Sequence, residues 1–292
     1  MKTILVLTDF SPRAEVAANY AFGLAMQIHA NVMLYHAFTM LEPPGISQRS
    51  WATEDYFLRK DSIATTLSNL ASKLVNSIDP SIGQFVPKIT WASELGKLTD
   101  AVKNQIFADH NIVLAVMGKH GSDPAARLLL ENNVNRMLST GACPVLVVPD
   151  GAVYRDPAQV CFATDFSGSH MQVLHSLSSL CTHFGSEISL VCVSRGDEPG
   201  RNIPVRVQNF LVEASTTVGY PKLYYRPVRN RSVVGGLYRS SQRGPCDLFV
   251  IVHKVQSRWH RIARGSITRK VIDRVGVPLM VFPEMMASFP IF

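Results

Sequence analysis

Apolar residues fall along the chain in short dense runs, separated by longer stretches where they recur every three or four positions. The first run, Ile4-Leu5-Val6-Leu7, stops abruptly on Thr8-Asp9-Phe10-Ser11. A run of that length and composition, bounded by polar residues, predicts a buried strand. Ser11-Pro12 then predicts a helix start, because serine satisfies a free N–H of the first turn and proline needs no donor there. Val16, Tyr20, Leu24 and Ile28 share one helical face, so this helix is expected to run to about Ile28. The strand Asn31–Tyr35 comes next, then a proline-rich loop (Glu42-Pro43-Pro44-Gly45) and a helix from about Asp55 to Asn76. A strand around Lys88–Trp91, a helix Lys97–Phe107, a strand Ile112–Met117 and a helix Asn132–Leu138 lead to Cys143-Pro144-Val145-Leu146-Val147-Val148-Pro149.

The same order then repeats. Val160-Cys161-Phe162-Ala163 again ends in Thr-Asp-Phe-Ser, at Thr164–Ser167, and the proline-bounded strand returns as Val277-Pro278-Leu279-Met280-Val281-Phe282-Pro283. The intervening strands are expected at Glu187–Val193, Lys222–Arg226 and Leu248–Val252. The helices are expected near Ser169–Phe184, Pro204–Thr217, Val233–Ser241 and Ser266–Arg274. Apolar strands alternating with helices predict a parallel sheet covered on both faces. The fold class is therefore α/β, with two tandem doubly wound five-stranded parallel-sheet domains, residues 1–150 and 151–292, and a linker at Asp150–Gln159. Proline at both ends of each final strand suits a strand at or near a sheet edge.

Composition narrows the class without changing the architecture. The 292 residues are 47% hydrophobic and 17% charged, a globular balance with a large core. No stretch approaches the roughly 18 to 20 apolar residues of a membrane span. The apolar run at the N-terminus is too short for a signal peptide, so a cytoplasmic location is expected. The five cysteines contain no C-x-x-C pair, and their odd count argues against a disulfide framework or zinc site. They read as free thiols packed as small hydrophobes. The net charge of +7 permits an anionic ligand but gives no specific argument for nucleic acid.

In an open parallel sheet, ligands bind outside the carboxyl ends of the strands where the winding reverses. The loops carrying Asp9 and Asp165, and those beginning at Gly118 and Val252, end there. No G-x-G-x-x-G, no G-x-x-x-x-G-K-[ST] and no G-x-S-x-G is present, and the nine histidines show no metal-ligand spacing. The usual α/β enzyme classes lose their support, and neither a catalytic nor a metal-binding set is assigned. What remains is Val116-Met117-Gly118-Lys119-His120-Gly121, whose glycines let backbone N–H groups approach an anion ahead of a helix start.

Thr-Asp-Phe-Ser after the first strand, Val-Met-Gly-Lys-His-Gly after the fourth and Cys-Pro-Val-Leu-Val-Val-Pro as the fifth together resemble the universal stress protein family. The resemblance runs over nearly the whole chain, twice, as in a tandem member, and implies an adenine nucleotide alpha hydrolase-like fold. Members that bind ATP carry G-x2-G-x9-G-[ST] after strand four and an acid after strand one; others lack the motif and bind none. Carried over by position, Gly118 and Gly121 match in the first half, but Glu131 and Asn132 stand at the final pair. Asn132 can still cap a helix or donate to an oxygen. In the second half Val252 and Val255 replace the loop glycines, while Gly265 and Ser266 match. Arg258, Arg261, Arg264, Arg269 and Lys270 surround that pair, with Trp259 and His260 among them. The cluster reads either as an anion site or as a solvated face.

Two functional readings result. The resemblance implies a stress-response regulatory protein, not an enzyme, binding ATP or another adenine nucleotide through Asp9, Gly118, Gly121 and Asn132, or through Asp165, Gly265 and Ser266. The alternative is a protein-interaction scaffold in which both sites are relics and the acids merely cap helices with Ser11 and Ser167. In the scaffold reading the resemblance implies that the tandem domains form a pseudo-dimer within one chain through their final strands, the chain itself being a monomer or a homodimer; no membrane partner is expected. His36 and His253 are expected to pack or hydrogen-bond rather than catalyse.

Overall fold

The computed structural model describes residues 1–39, 51–77, 85–119, 133–139, 141–194, 205–254, 267–286 and 289–292. In the first half, β1 (Thr3–Leu7), α1 (Pro12–Gln27), β2 (Asn31–Phe38), α2 (Trp51–Asn76), β3 (Ile89–Leu95), α3 (Leu98–Ala108) and β4 (Ile112–Gly118) alternate strictly. Helix α4 (133–139) and β5 (Val145–Val148) close it. The second half repeats the order with β6 (Gln159–Ala163), α5 (Ser169–Thr182), β7 (Glu187–Ser194), α6 (Val205–Thr217) and β8 (Leu223–Arg229). It ends with α7 (Val233–Gln242), β9 (Leu248–His253), α8 (Ile267–Arg274) and β10 (Leu279–Pro283). Strand β2 runs beyond its expected end at Tyr35. Its last residues pair with β3 up to Phe38↔Leu95, and the Tyr35 hydroxyl donates to Glu94 Oε2 at 2.6 Å.

The ten strands make one sheet in the order β3-β2-β1-β4-β5-β10-β9-β6-β7-β8. Each half winds outward from its first strand in both directions, and every pairing within a half is parallel. The halves meet where β5 and β10 pair antiparallel, in the register Leu279↔Val147, Met280↔Leu146 and Val281↔Val145. The expectation of an edge position is thus corrected. Each proline-bounded strand is the last of its own half but lies in the middle of the common sheet.

Strand residues alternate between two cores, as the period of two demands. Val6, Val116, Leu146, Phe162 and Met280 face one side under α1, α2, α5 and α6. Leu7, Met117, Val145, Cys161 and Val281 face the other under α3, α4, α7 and α8. Both cores cross the β5–β10 seam. Tyr154, between the halves, lies so close over α1 that a Cβ on Gly23 would stand 2.4 Å from its Cδ1. At the C-terminus, Ser179 Oγ donates to the Phe292 carbonyl at 2.8 Å, and Phe292 is buried.

Leu146, 1% exposed, packs in the core that spans the seam. Leu146→Ala is expected to cost about 2–5 kcal/mol by removing buried methyl groups and leaving a cavity. Urea unfolding should show a lower midpoint at unchanged slope; an unmoved midpoint would mean that the seam carries little stability.

Candidate functional site

The two Thr-Asp-Phe-Ser turns fold alike. After β1, the Thr8 hydroxyl accepts from Phe10 N at 3.0 Å and Asp9 Oδ1 from Ser11 N at 3.0 Å. After β6, Thr164 Oγ1 accepts from Phe166 N at 2.9 Å and Asp165 Oδ1 from Ser167 N at 3.1 Å. The middle residue takes a left-handed backbone in each, φ 63° at Phe10 and 60° at Phe166. The side-chain bonds offset the cost of that conformation, which favours glycine. Each turn also hydrogen-bonds to the second strand of its half, Thr8 N to Tyr35 O and Thr164 N to Val191 O. Both acids therefore stand at the carboxyl end of the strand where the winding reverses.

The two turns lead into different helix starts. Ser11 caps α1, its hydroxyl accepting from Ala14 N. Ser167 does not cap α5: the helix starts at Ser169 behind Gly168, which makes no side-chain cap bond. Capping by Ser167 is therefore corrected. Its backbone carbonyl accepts from His170 N instead.

Asp165 is engaged by its own protein. Lys254 Nζ, just past β9, donates to Asp165 Oδ2 at 2.5 Å and lies 3.5 Å from Ser167 Oγ. His170 Nδ1 lies 2.9 Å from Thr164 Oγ1 and 3.5 Å from Asp165 Oδ1. Burial alone would raise the Asp165 carboxyl, but the Lys254 hydrogen bond, the His170 ring and Ser167 outweigh it and hold it at about 2. His170, 3% exposed, is lowered as well: burial, helped by the Lys254 charge, takes it down to about 4 against the pull of Asp165. At neutral pH it is an uncharged ring, and its buried Nε2 has no hydrogen-bond partner among the described residues. His253 is held by Thr268 Oγ1 of α8 at 3.1 Å and also lowered by burial. His36 Nδ1 donates to the Thr8 carbonyl at 2.7 Å. Both take the packing and hydrogen-bonding roles expected of them.

Thr164, Asp165, His170 and Lys254 border a cleft of about 340 Å³ at the reversal point between β6 and β9. Ala163, Val193, Val233, Leu237, Ile251 and Ile267 give it apolar walls. Asp165, Lys254, Arg206 and Thr268 give it polar and charged groups. Ile267 and Thr268, the first described residues of α8, are part of the wall. The size is at the lower end of small-molecule pockets. Lys254, His170, Arg206 and Thr268 are not signalled by any motif. Only the position of Lys254 directly after the fourth strand of its half hints at its role.

The first-half loop glycine has a packing role. A Cβ on Gly118 would lie 2.6 Å from the Arg13 carbonyl oxygen, so glycine lets β4 end against the first turn of α1. The next residue crosses to the other half: Lys119 Nζ donates to the carbonyls of Asp273 at 2.9 Å and Val275 at 2.8 Å, at the end of α8. Gly121, Asn132, Gly265 and Ser266 lie outside the described residues, as do Glu131, Val255, Arg258, Trp259, His260, Arg261 and Arg264. Among the described residues, no group of three or more His, Cys, Asp or Glu could hold a metal ion, and no helix is long and apolar enough to cross a membrane.

A doubly wound sheet repeated about one seam, with an acid at each reversal point, defines an adenine nucleotide alpha hydrolase-like α/β protein. The family model for the universal stress protein family matches residues 1–149, and the chain belongs to that family. No curated protein matches it significantly. Among solved structures it is similar to a universal stress protein from Archaeoglobus fulgidus, with TM-score 0.69 and 17% identity over 96% of this chain and 95% of that one. A functionally unknown protein from Pseudomonas aeruginosa gives TM-score 0.61 and 14% identity, covering 97% and 93%. The cytoplasmic domain of a prokaryotic cation chloride cotransporter gives 0.55 and 8% identity, covering 99% and 98%. At such identities the likeness is one of fold.

Two outcomes are expected. Gly118→Ala should destabilise by about 1–3 kcal/mol through overpacking against the Arg13 backbone, measured by denaturant midpoint. In acid, the unfolded chain protonates His170 near 6.5 while the folded protein waits until about 4, so stability falls as pH drops between those values. Asp165 adds a second loss as pH falls from 3.8 to about 2, because its carboxylate is favoured in the folded state. His170→Gln should flatten the upper window and Asp165→Asn the lower one in stability-versus-pH curves; unchanged slopes would exclude both assignments.

Proposed function

We propose that this chain is a regulatory binding protein of two domains, residues 1–150 and 151–292, whose second-half crevice takes an adenine nucleotide. The observation that carries the reading is the cleft at the β6–β9 reversal point. It joins apolar walls to Asp165 and to the cations Lys254 and Arg206. The apolar wall suits a flat base, and Asp165 suits a ribose hydroxyl. Lys254 and Arg206 suit the phosphates, and in sequence Gly265 and Ser266 come directly before Ile267 and Thr268 of the cleft wall. Binding rather than catalysis is favoured because His170 and His253 are both held by threonine hydroxyls.

In the first half, Asp9, Gly118, Gly121 and Asn132 form the rival set. Gly118 packed on Arg13 and Lys119 bonded to α8 favour a structural role there. The scaffold alternative, with both crevices relics and the chain acting through protein partners, draws on the closed Asp165–Lys254 pair.

Nucleotide released on denaturing the purified protein is identified by mass spectrometry, and ATP is titrated calorimetrically against wild type, Asp9→Ala and Asp165→Ala. Saturable binding weakened about tenfold, or 1.4 kcal/mol, by Asp165→Ala alone is expected. Weakening by Asp9→Ala alone moves the site to the first half. No binding at millimolar ATP in any form leaves the scaffold.

A further inference from the structure

Below the crevice, at the middle of β6 and just ahead of β9, two of the five cysteines lie near each other. Cys161 of β6 is 1% exposed, and its thiol reaches the Pro245 carbonyl at 3.8 Å. Cys246, the next residue after Pro245, turns its own thiol to the Leu248 carbonyl at 3.6 Å. Because Cys161 Sγ touches the carbonyl of the residue that directly precedes Cys246, the two cysteines are neighbours in space. Arg226 of β8 reaches the same spot: a Cβ on Gly244 would stand 2.2 Å from Arg226 Nη2, so the guanidinium lies directly on the Gly244 backbone, two residues from Cys246. Asp247 is the acid beside the pair, its carboxylate accepting from Gln159 N at 2.8 Å.

The environment makes the two thiols unequal. The Cys246 thiol and the Arg226 guanidinium hold Cys161 below its ordinary value against burial and Asp247. Cys246 is pushed up by its Cys161 neighbour and by burial. Burial drives Cys143 and Cys181 up to about 12, as expected of inert core thiols. A thiol eased toward thiolate beside a cation, with a second thiol at hand, is the arrangement of a sensor and its resolving partner.

We propose that Cys161 and Cys246 are a modification site, a dithiol that small hydroperoxides close to an internal disulfide. The Cys161 sulfur attacks one peroxide oxygen and the O–O bond breaks. The sulfur is oxidised to a sulfenic acid, and the departing oxygen takes the thiol proton, leaving as alcohol or water. The Cys246 sulfur then attacks the sulfenic sulfur, the S–O bond breaks, and the hydroxyl leaves with the Cys246 proton as water. Two thiols and one hydroperoxide give one disulfide, one water and one alcohol, the alcohol being a second water when the oxidant is hydrogen peroxide. Burial restricts the reagent to a small one. Cys246, the shallower thiol at 8% exposure, lies between exposed Pro245 and Asp247 and is the side of access.

The reduced full chain is treated with hydrogen peroxide at a few equivalents, and thiols are counted before peptide mapping under non-reducing conditions. Loss of two thiols with a Cys161–Cys246 linked peptide is expected, in protein whose circular dichroism stays native. Arg226→Gln is expected to slow closure about tenfold by removing the cation that favours thiolate. Cys246→Ser should leave a sulfenic acid on Cys161 that dimedone traps. If no Cys161–Cys246 peptide forms in the native wild type, or it forms only after unfolding in guanidinium, the proposal is overturned. Wild type alone decides this, whatever the variants do to folding.

Discussion

The antiparallel register between β5 and β10 is the constraint on which the rest of the molecule depends. Each half ends on a strand whose residues are buried on both faces, and such a strand cannot be left as an open edge without exposing a row of backbone donors and acceptors. Pairing the two last strands removes both edges at once and makes both cores continuous across the seam. The same register brings the loop after β4 within reach of α8, where Lys119 takes two carbonyls at the helix end. A cation there also meets the negative end of the helix dipole. The first half thus holds the C-terminus of the helix whose Ile267 and Thr268 wall the second-half cleft.

Around that seam, repetition and divergence separate cleanly. The Thr-Asp-Phe-Ser turns keep the same backbone and the same two side-chain hydrogen bonds, because a left-handed phenylalanine needs them. The surroundings are free to change. Phe10 stays at the surface against His36, with ring centroids 4.5 Å apart. Phe166 is buried against Phe210 and Tyr225. Gly118 admits the Arg13 backbone, whereas the corresponding second-half position carries Val252, and there the helix begins one residue later after its acid. One turn geometry therefore supports two different crevice chemistries.

The fold was legible because its determinants are local and repeated. Strand length, paired prolines and the Thr-Asp-Phe-Ser ends mark the strands of each half, and α1 starts at the serine–proline cap that predicts it. The crevice was legible only in its acids. Lys254 reaches Asp165 across 89 positions of sequence, and His170 acquires its depressed pKa from burial that no short motif records. Gly118 shows the converse limit. A glycine that suits a phosphate loop also suits a close helix approach, and only the Arg13 carbonyl beside it distinguishes the two. The closeness of Cys161 and Cys246 was hidden for a similar reason, since a C-x-x-C search cannot see residues that the β6–β9 pairing brings together.

The Asp165–Lys254 pair looks at first like an obstacle to any ligand, but its exposure argues otherwise. The two side chains are 53% and 40% exposed, and ion pairs in that setting contribute about 0–1 kcal/mol. Separating them costs little when an incoming anion offers Lys254 a new partner and a ligand hydroxyl offers Asp165 one. With no ligand bound, the pair keeps both charges satisfied at the mouth of an apolar cleft. His170 cannot replace Lys254 as the counter-charge, because burial keeps its ring neutral until about 4. Near neutral pH, then, the cations at this crevice are Lys254 and Arg206, while the neutral histidine beneath the turn bonds to Thr164.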